Sequence, residues 1–180
     1  MLTSLVVTAS LLLAGAPAQS TATKSFTYRG MTLQIPKTWK VGKADAWGVH
    51  IKTGGCDRTA AECRGFYVLG PKGVATAREG NPYDTEQRFH PGTGVSLCTP
   101  DKRYYEGYPG KLVTSGLRQV GPGHKAYYRV WLIRCMTMKY KPTDTYFQER
   151  IWYLPKSKIL VFDAWGTNRL GAILKAAAWR

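Results

Sequence analysis

"TYFQERIWYLPKSKILVFDAW", residues 145–165, decides how the chain is built. Two runs rich in β-branched and aromatic residues flank Pro155-Lys156, the pattern of two strands joined by a tight turn. With Leu154 opposite Ser157, Ile151 faces Leu160 and Glu149 faces Phe162. One face then carries Phe147, Ile151, Tyr153, Leu160 and Phe162, and the other Trp152, Leu154, Ile159 and Val161. Both faces are apolar, so a layer must cover each side of the sheet. A slip of one residue would exchange the faces, because side chains alternate with period two.

Working outward, Leu112–Val120 and Lys125–Met138 read as two further strands, separated by Gly121-Pro122-Gly123. With Thr145–Leu154 and Lys158–Trp165 they form an antiparallel meander. After it, Leu170, Ile173, Leu174 and Ala177 fall at helical spacing, with Thr167 or Asn168 as cap. Near the N-terminus, Phe26–Arg29 and Met31–Ile35 flank Gly30 as short strands, and Trp47–Lys52 and Gly65–Leu69 add two more. In "YRGMTLQIPKTWKV", residues 28–41, Pro36 ends the pairing and Trp39 is placed to fold back onto the core. Pro71–Pro100 is irregular, with single helical turns expected over Ala75–Glu79 and Asp84–Phe89; long irregular segments in compact domains are often functional. The expected fold is α+β, an antiparallel sheet packed against a C-terminal helix.

Two segments together resemble the PsbP-like α/β sandwich, including LpqN-type exported proteins of high-GC Gram-positive bacteria. They are Tyr28-x-Gly30-x-x-Leu33-x-Ile35-Pro36-x-x-Trp39 and the closing strand-turn-strand-helix with Ile173-Leu174. The resemblance covers about 14 and about 35 residues of the chain. It implies that fold and a non-catalytic accessory or binding role, and it supplies no catalytic residues.

The first 23 residues carry no charge, Leu2–Ala14 is mostly apolar, and Ala16-Pro17-Ala18 suits a signal peptidase. The expectation is a secretory signal over 1–18, a disordered lead-in over 19–25 and one domain over 26–180. No cysteine follows Leu13-Ala14-Gly15, so secretion is favoured over a lipid anchor; an uncleaved signal would instead tether the chain to the membrane. The four cysteines in an exported chain read as two disulfides. Three connectivities are open, of which Cys56–Cys63 with Cys98–Cys135 is favoured because the first pair brackets one loop. Loop entropy assigns the longer bridge roughly 4 kcal/mol and the shorter roughly 2.5. The cysteine spacing does not suit zinc, and no metal or cofactor is implied.

The net charge is +15, with 11 basic and 6 acidic residues up to His90 and 15 and 5 after it. Such a field favours polyanions and adds salt-dependent affinity. The expected partner is therefore an anionic polymer or cell-envelope component, with peripheral membrane contact as a variant, no specific nucleic acid, and a monomeric chain. The candidate contacts are the loop residues Lys102, Arg103, Tyr104, Lys139 and Lys141, where rings and cations interleave. In the strands, Tyr127, Tyr128, Arg129 and Trp131 read as packing.

Catalytic signals are sparse. There is no Gly-x-Ser-x-Gly elbow and no phosphate loop. His50, His90 and His124 lie in separate segments. Glu149 is the most suggestive acid, placed among Phe147, Ile151 and Tyr153; it reads either as the ion-pair partner of Arg129 or Arg134 or, with His124, as an acid–base pair. The favoured function is a secreted, non-enzymatic binding protein; the alternative is a small basic nuclease or wall-glycan hydrolase using Glu149 and His124.

Overall fold

The computed structural model describes residues 22–180. The segment 1–18, read from the sequence as a secretory signal, lies outside the described residues, as do residues 19–21 of the expected lead-in. The first strand, β1, runs Thr23–Tyr28, three residues ahead of the expected domain start. It pairs with β2, Met31–Pro36. The turn between them is Arg29-Gly30, with φ of 50° and 85°. Two left-handed residues give the twist that a two-residue hairpin needs, and Gly30 adopts that region without steric cost.

The main sheet has eight strands: β3 (Lys40–Val41), β4 (Gly48–Lys52), β5 (Gly65–Leu69), β6 (Tyr105–Glu106), β7 (Lys111–Gln119), β8 (Lys125–Met136), β9 (Pro142–Leu154) and β10 (Ile159–Asp163). Its order is β3-β4-β5-β10-β9-β8, with β6 and β7 both paired to β8. Every pairing is antiparallel, and β7 to β10 form the meander read from the sequence.

The register of the last hairpin differs from the expected one. Leu154 pairs with Ile159 and Ile151 with Phe162, a slip of two residues. The turn is Pro155–Lys158, four residues long, with Lys158 at φ 50°. A slip of two preserves the faces, so both apolar faces survive and each is covered.

The first face carries Trp152, Leu154, Ile159 and Val161 with Ile51, Phe66 and Val68. Its cover is mainly the hairpin β1–β2, whose Met31, Leu33 and Ile35 are fully buried. Trp39 folds back and meets Phe66 edge-on at 5.7 Å. The expected C-terminal helix is short. Helix α2 spans Leu170–Lys175, is preceded by a left-handed Arg169 rather than a Thr or Asn cap, and gives way to β11 (Ala178–Trp179), which pairs with β2. Leu170 and Leu174 reach the first core, but the layer is a three-stranded sheet with a six-residue helix beside it. The molecule is therefore dominated by antiparallel sheet.

The second face carries Trp131, Ile133, Phe147, Ile151, Leu160 and Phe162. The irregular segment from residue 71 to 104 covers it, contributing Val74, Ala77, Tyr83, Cys98, Phe89 and Tyr104. Helix α1 is Pro71–Ala75, earlier than the expected turn, and no helix forms over 84–89. The disulfides are Cys56–Cys63 and Cys98–Cys135. The second fastens this cover to β8, and both of its cysteines are fully buried. Two disulfides are consistent with an extracellular location. Among the described residues, no helix is long and apolar enough to cross a membrane.

Candidate functional site

Between the second face of the sheet and its irregular cover lies a cavity of about 590 Å³. Its floor is an aromatic row set by strand register. His50 on β4 lies opposite Tyr67 on β5, and Tyr67 lies opposite Phe162 on β10. The His50 and Tyr67 rings stack at 4.3 Å, and Phe89 from the cover meets Phe162 at 4.5 Å. His90, Ser96, Leu97 and Thr99 form the opposite wall, Trp47 and Asp45 one rim, and Ala61 and Glu62 of the Cys56–Cys63 loop another. Gly48 is required where β4 meets β5: a Cβ there would lie 2.3 Å from the Val68 carbonyl oxygen, and its φ is 158°.

Glu149 and Glu106 line the cavity from behind, and both are held by Arg88. One guanidinium nitrogen, Nη1, lies 2.8 Å from Glu106 Oε2 and 3.4 Å from Glu149 Oε2. The side chains of Arg88 and Glu149 are each 1% exposed. The Phe89 amide donates to Glu149 Oε1 at 2.5 Å, and Thr99 Oγ1 donates to Glu106 Oε1 at 3.3 Å. Arg88 Nη2 sits 3.3 Å from His90 Nδ1, and an arginine can only donate there. His90 Nε2 then donates to the Gly94 carbonyl at 2.9 Å, so His90 is the neutral Nε2–H tautomer.

These contacts decide what Glu149 does. Burial pushes its carboxyl up to about 8, against the opposing pull of Arg88 and the Phe89 amide. One cation serves two carboxylates, and Glu106 takes the shorter contact. Both Glu149 oxygens face the protein, as do both Glu106 oxygens and both His90 nitrogens. The cluster ties the cover to β9: each carboxylate oxygen and each His90 nitrogen has a protein partner, while Arg88 Nε is buried without one.

Glu62 is different. The Tyr67 hydroxyl donates to its Oε2 at 2.6 Å, and no basic group lies within salt-bridge distance among the described residues. Burial raises its pKa, Tyr67 opposes that, and the charge of Glu106 adds to it. Burial likewise raises Tyr67 and lowers His50, so both are neutral at physiological pH.

The residues singled out in the sequence separate into three places. Glu149 lies in the cavity wall, paired with Arg88 rather than with Arg129 or Arg134. Arg129 donates to the Thr85 and Tyr128 carbonyls, and Arg134 to the Thr143 carbonyl and Asp144. His124 is not beside Glu149; it stacks on Trp179 at 3.9 Å and belongs to a separate groove between the β7–β8 and β9–β10 turns. The proposed acid–base pair is thus split, because β8 runs twelve residues between His124 and the strand end facing Glu106. Lys102, Arg103, Lys139 and Lys141 are exposed near the end of the sheet where Tyr105 meets Tyr140 at 5.7 Å. Arg103 is held by Asp101 and lies over the Tyr104 ring, and Tyr104 packs against the second core. No three His, Cys, Asp or Glu side chains among the described residues are placed to hold one metal ion.

Arg88, Glu106 and Glu62 carry no periodic signal in the sequence. The available hints were an arginine beside Phe89 in an irregular stretch and an acid next to Cys63. No protein-family model matches the chain, and no curated protein matches it either.

Proposed function

We propose that this chain is an exported, non-enzymatic binding protein whose cavity takes a small amphipathic molecule. The supporting observation is an aromatic-walled space of about 590 Å³ in which the apolar faces are free while Glu149, Glu106 and His90 are fully engaged with the protein. A concave, mostly apolar pocket with a few convergent polar groups is the usual form of a small-molecule site. A hydrolase would need an acid and a base with atoms directed at one substrate; Glu149 is engaged by Arg88 and Phe89 while His124 lies in a separate groove, which disfavours the nuclease or glycan-hydrolase alternative built on that pair. Isothermal titration with 4-phenylbutylamine, 4-phenylbutan-1-ol and 4-phenylbutyrate provides the test. At least one is expected to bind saturably at one site per chain; no saturable binding by any of the three overturns the reading.

The cationic exterior supports a second, compatible role, contact with an anionic envelope component. Every salt bridge among the described residues uses arginine, so no lysine among them is neutralised by an ion pair. The groove at the far end holds Lys125, Lys156 and His124 with no acid in its lining. Binding to an anionic polymer such as heparin should weaken by at least tenfold between about 50 and 200 mM salt, if several lysines make contact. Salt-independent binding would exclude this contact. Kinship with the PsbP-like sandwich is retained as part of the proposal, supported by the Tyr28–Trp39 hairpin and its place over the core.

A further inference from the structure

Of the three glutamates around the cavity, two share Arg88 and one, Glu62, meets no cation among the described residues. A carboxylate in a largely buried setting without a counter-charge is costly, and the molecule leaves that cost standing. Glu62 is also presented deliberately. It is the residue before Cys63, so the short Cys56–Cys63 loop holds it over the aromatic floor. Tyr67 engages one of its two oxygens, which leaves the other available.

The surrounding surfaces match the same missing group. The rings of Trp47, Tyr67, Phe89 and Phe162 line the space, and aromatic faces attract an ammonium by their quadrupole. Trp47 already carries one such contact on the outside, with Lys72 Nζ 5.8 Å from its ring. The net charge of +15 opposes a cationic ligand at long range. Physiological salt screens that outer field within about 8 Å; the cavity lining itself includes one lysine, Lys43, which is not in salt-bridge reach of Glu62.

We propose that the ligand of this cavity is an amphipathic amine, its ammonium on Glu62 and its apolar body against Phe89, Phe162 and Leu69. This rests on the ligand-binding reading given above. It carries a linkage consequence. Burial holds the Glu62 carboxyl up, and an ammonium favours its ionised form, so binding releases a proton wherever Glu62 is still protonated. Affinity for the amine therefore rises with pH through the Glu62 titration and levels off above it.

The experiment is the same titration read as an order, on the wild-type protein and on Glu62→Gln. The amine is expected to bind about tenfold or more tighter than the alcohol, with the carboxylate weakest. Glu62→Gln should bring amine and alcohol to within about threefold of each other, with a melting temperature no lower than that of wild type, since the variant removes a buried charge that has no counter-ion. If alcohol and amine bind wild type equally, the amine assignment falls while the binding function stands. If none of the three binds, both fall. If the amine preference persists in a folded Glu62→Gln, the assignment to Glu62 is wrong.

Discussion

Arg88→Met is expected to lose about 3–5 kcal/mol of stability at pH 8, the usual cost of leaving a buried ion pair half made. Methionine keeps much of the side-chain volume but removes the only cation within salt-bridge reach of Glu106 and Glu149 among the described residues. Two carboxylates then face each other in the same interior. Even with Arg88 present, burial raises Glu149 to about 8. A carboxyl raised in the folded state favours folding below its unfolded value of about 4.3 and loses that contribution as pH rises through the folded value. Wild type should therefore soften between about pH 5 and 8, and Arg88→Met should soften much more steeply, recovering part of its loss at pH 5. Adding Glu149→Leu to Arg88→Met should restore stability, since it removes one stranded charge. Urea denaturation at the two pH values measures all of this. A loss below about 1 kcal/mol at pH 8, or one independent of pH, would show that the cluster does not fasten the cover.

Replacing Cys98 and Cys135 together by alanine should cost about 4 kcal/mol, from a loop closed over a separation of 37 residues. For a chain of this size that is a fall in melting temperature of about 8–16 °C. The bridge is also the covalent tie between the irregular cover and β8, buried within the second core. Its removal should loosen residues 89–99 and weaken binding in the cavity, whose wall they form. The Cys56–Cys63 pair closes only seven residues and should cost about 2.5 kcal/mol. Thermal melts of the two double variants compare them directly; equal losses, or a larger loss for the short loop, would contradict this ranking.

The sheet was legible because its signal is local. Alternation in Phe147–Val161 shows both faces apolar, and that survives a two-residue error in register because the period is two. The same error shows what local pattern cannot supply: turn length depends on a left-handed Lys158, a residue with no glycine-like marker. The second cover was not legible. Val74, Ala77, Tyr83 and Phe89 have no common period, since an irregular chain can bury side chains at any spacing. The C-terminal helix is shorter than its pattern implies, because Leu170, Ile173, Leu174 and Ala177 have helical spacing whether or not the last turn yields to β11.

The site was half legible for the same reason. Glu149 stands out as an acid among apolar strand neighbours, but its partner is 61 residues away in the cover. The neighbours within the sheet, Arg129 and Arg134, are the natural guess and are engaged elsewhere. Knowing the partner changes the role, from a group poised to react to one that holds a wall in place. Glu62 is then the cavity glutamate left without a cation among the described residues.

The claim that this wall encloses a binding site is tested most directly by filling it. Ala61 is an exposed rim residue of the cavity, so Ala61→Trp can occupy the entrance without entering either core. Calorimetric titration of 4-phenylbutylamine into wild type and Ala61→Trp should show one saturable site in wild type and at least a tenfold loss in the variant, with melting unchanged. Equal affinity in the two proteins would place the binding elsewhere and contradict the account.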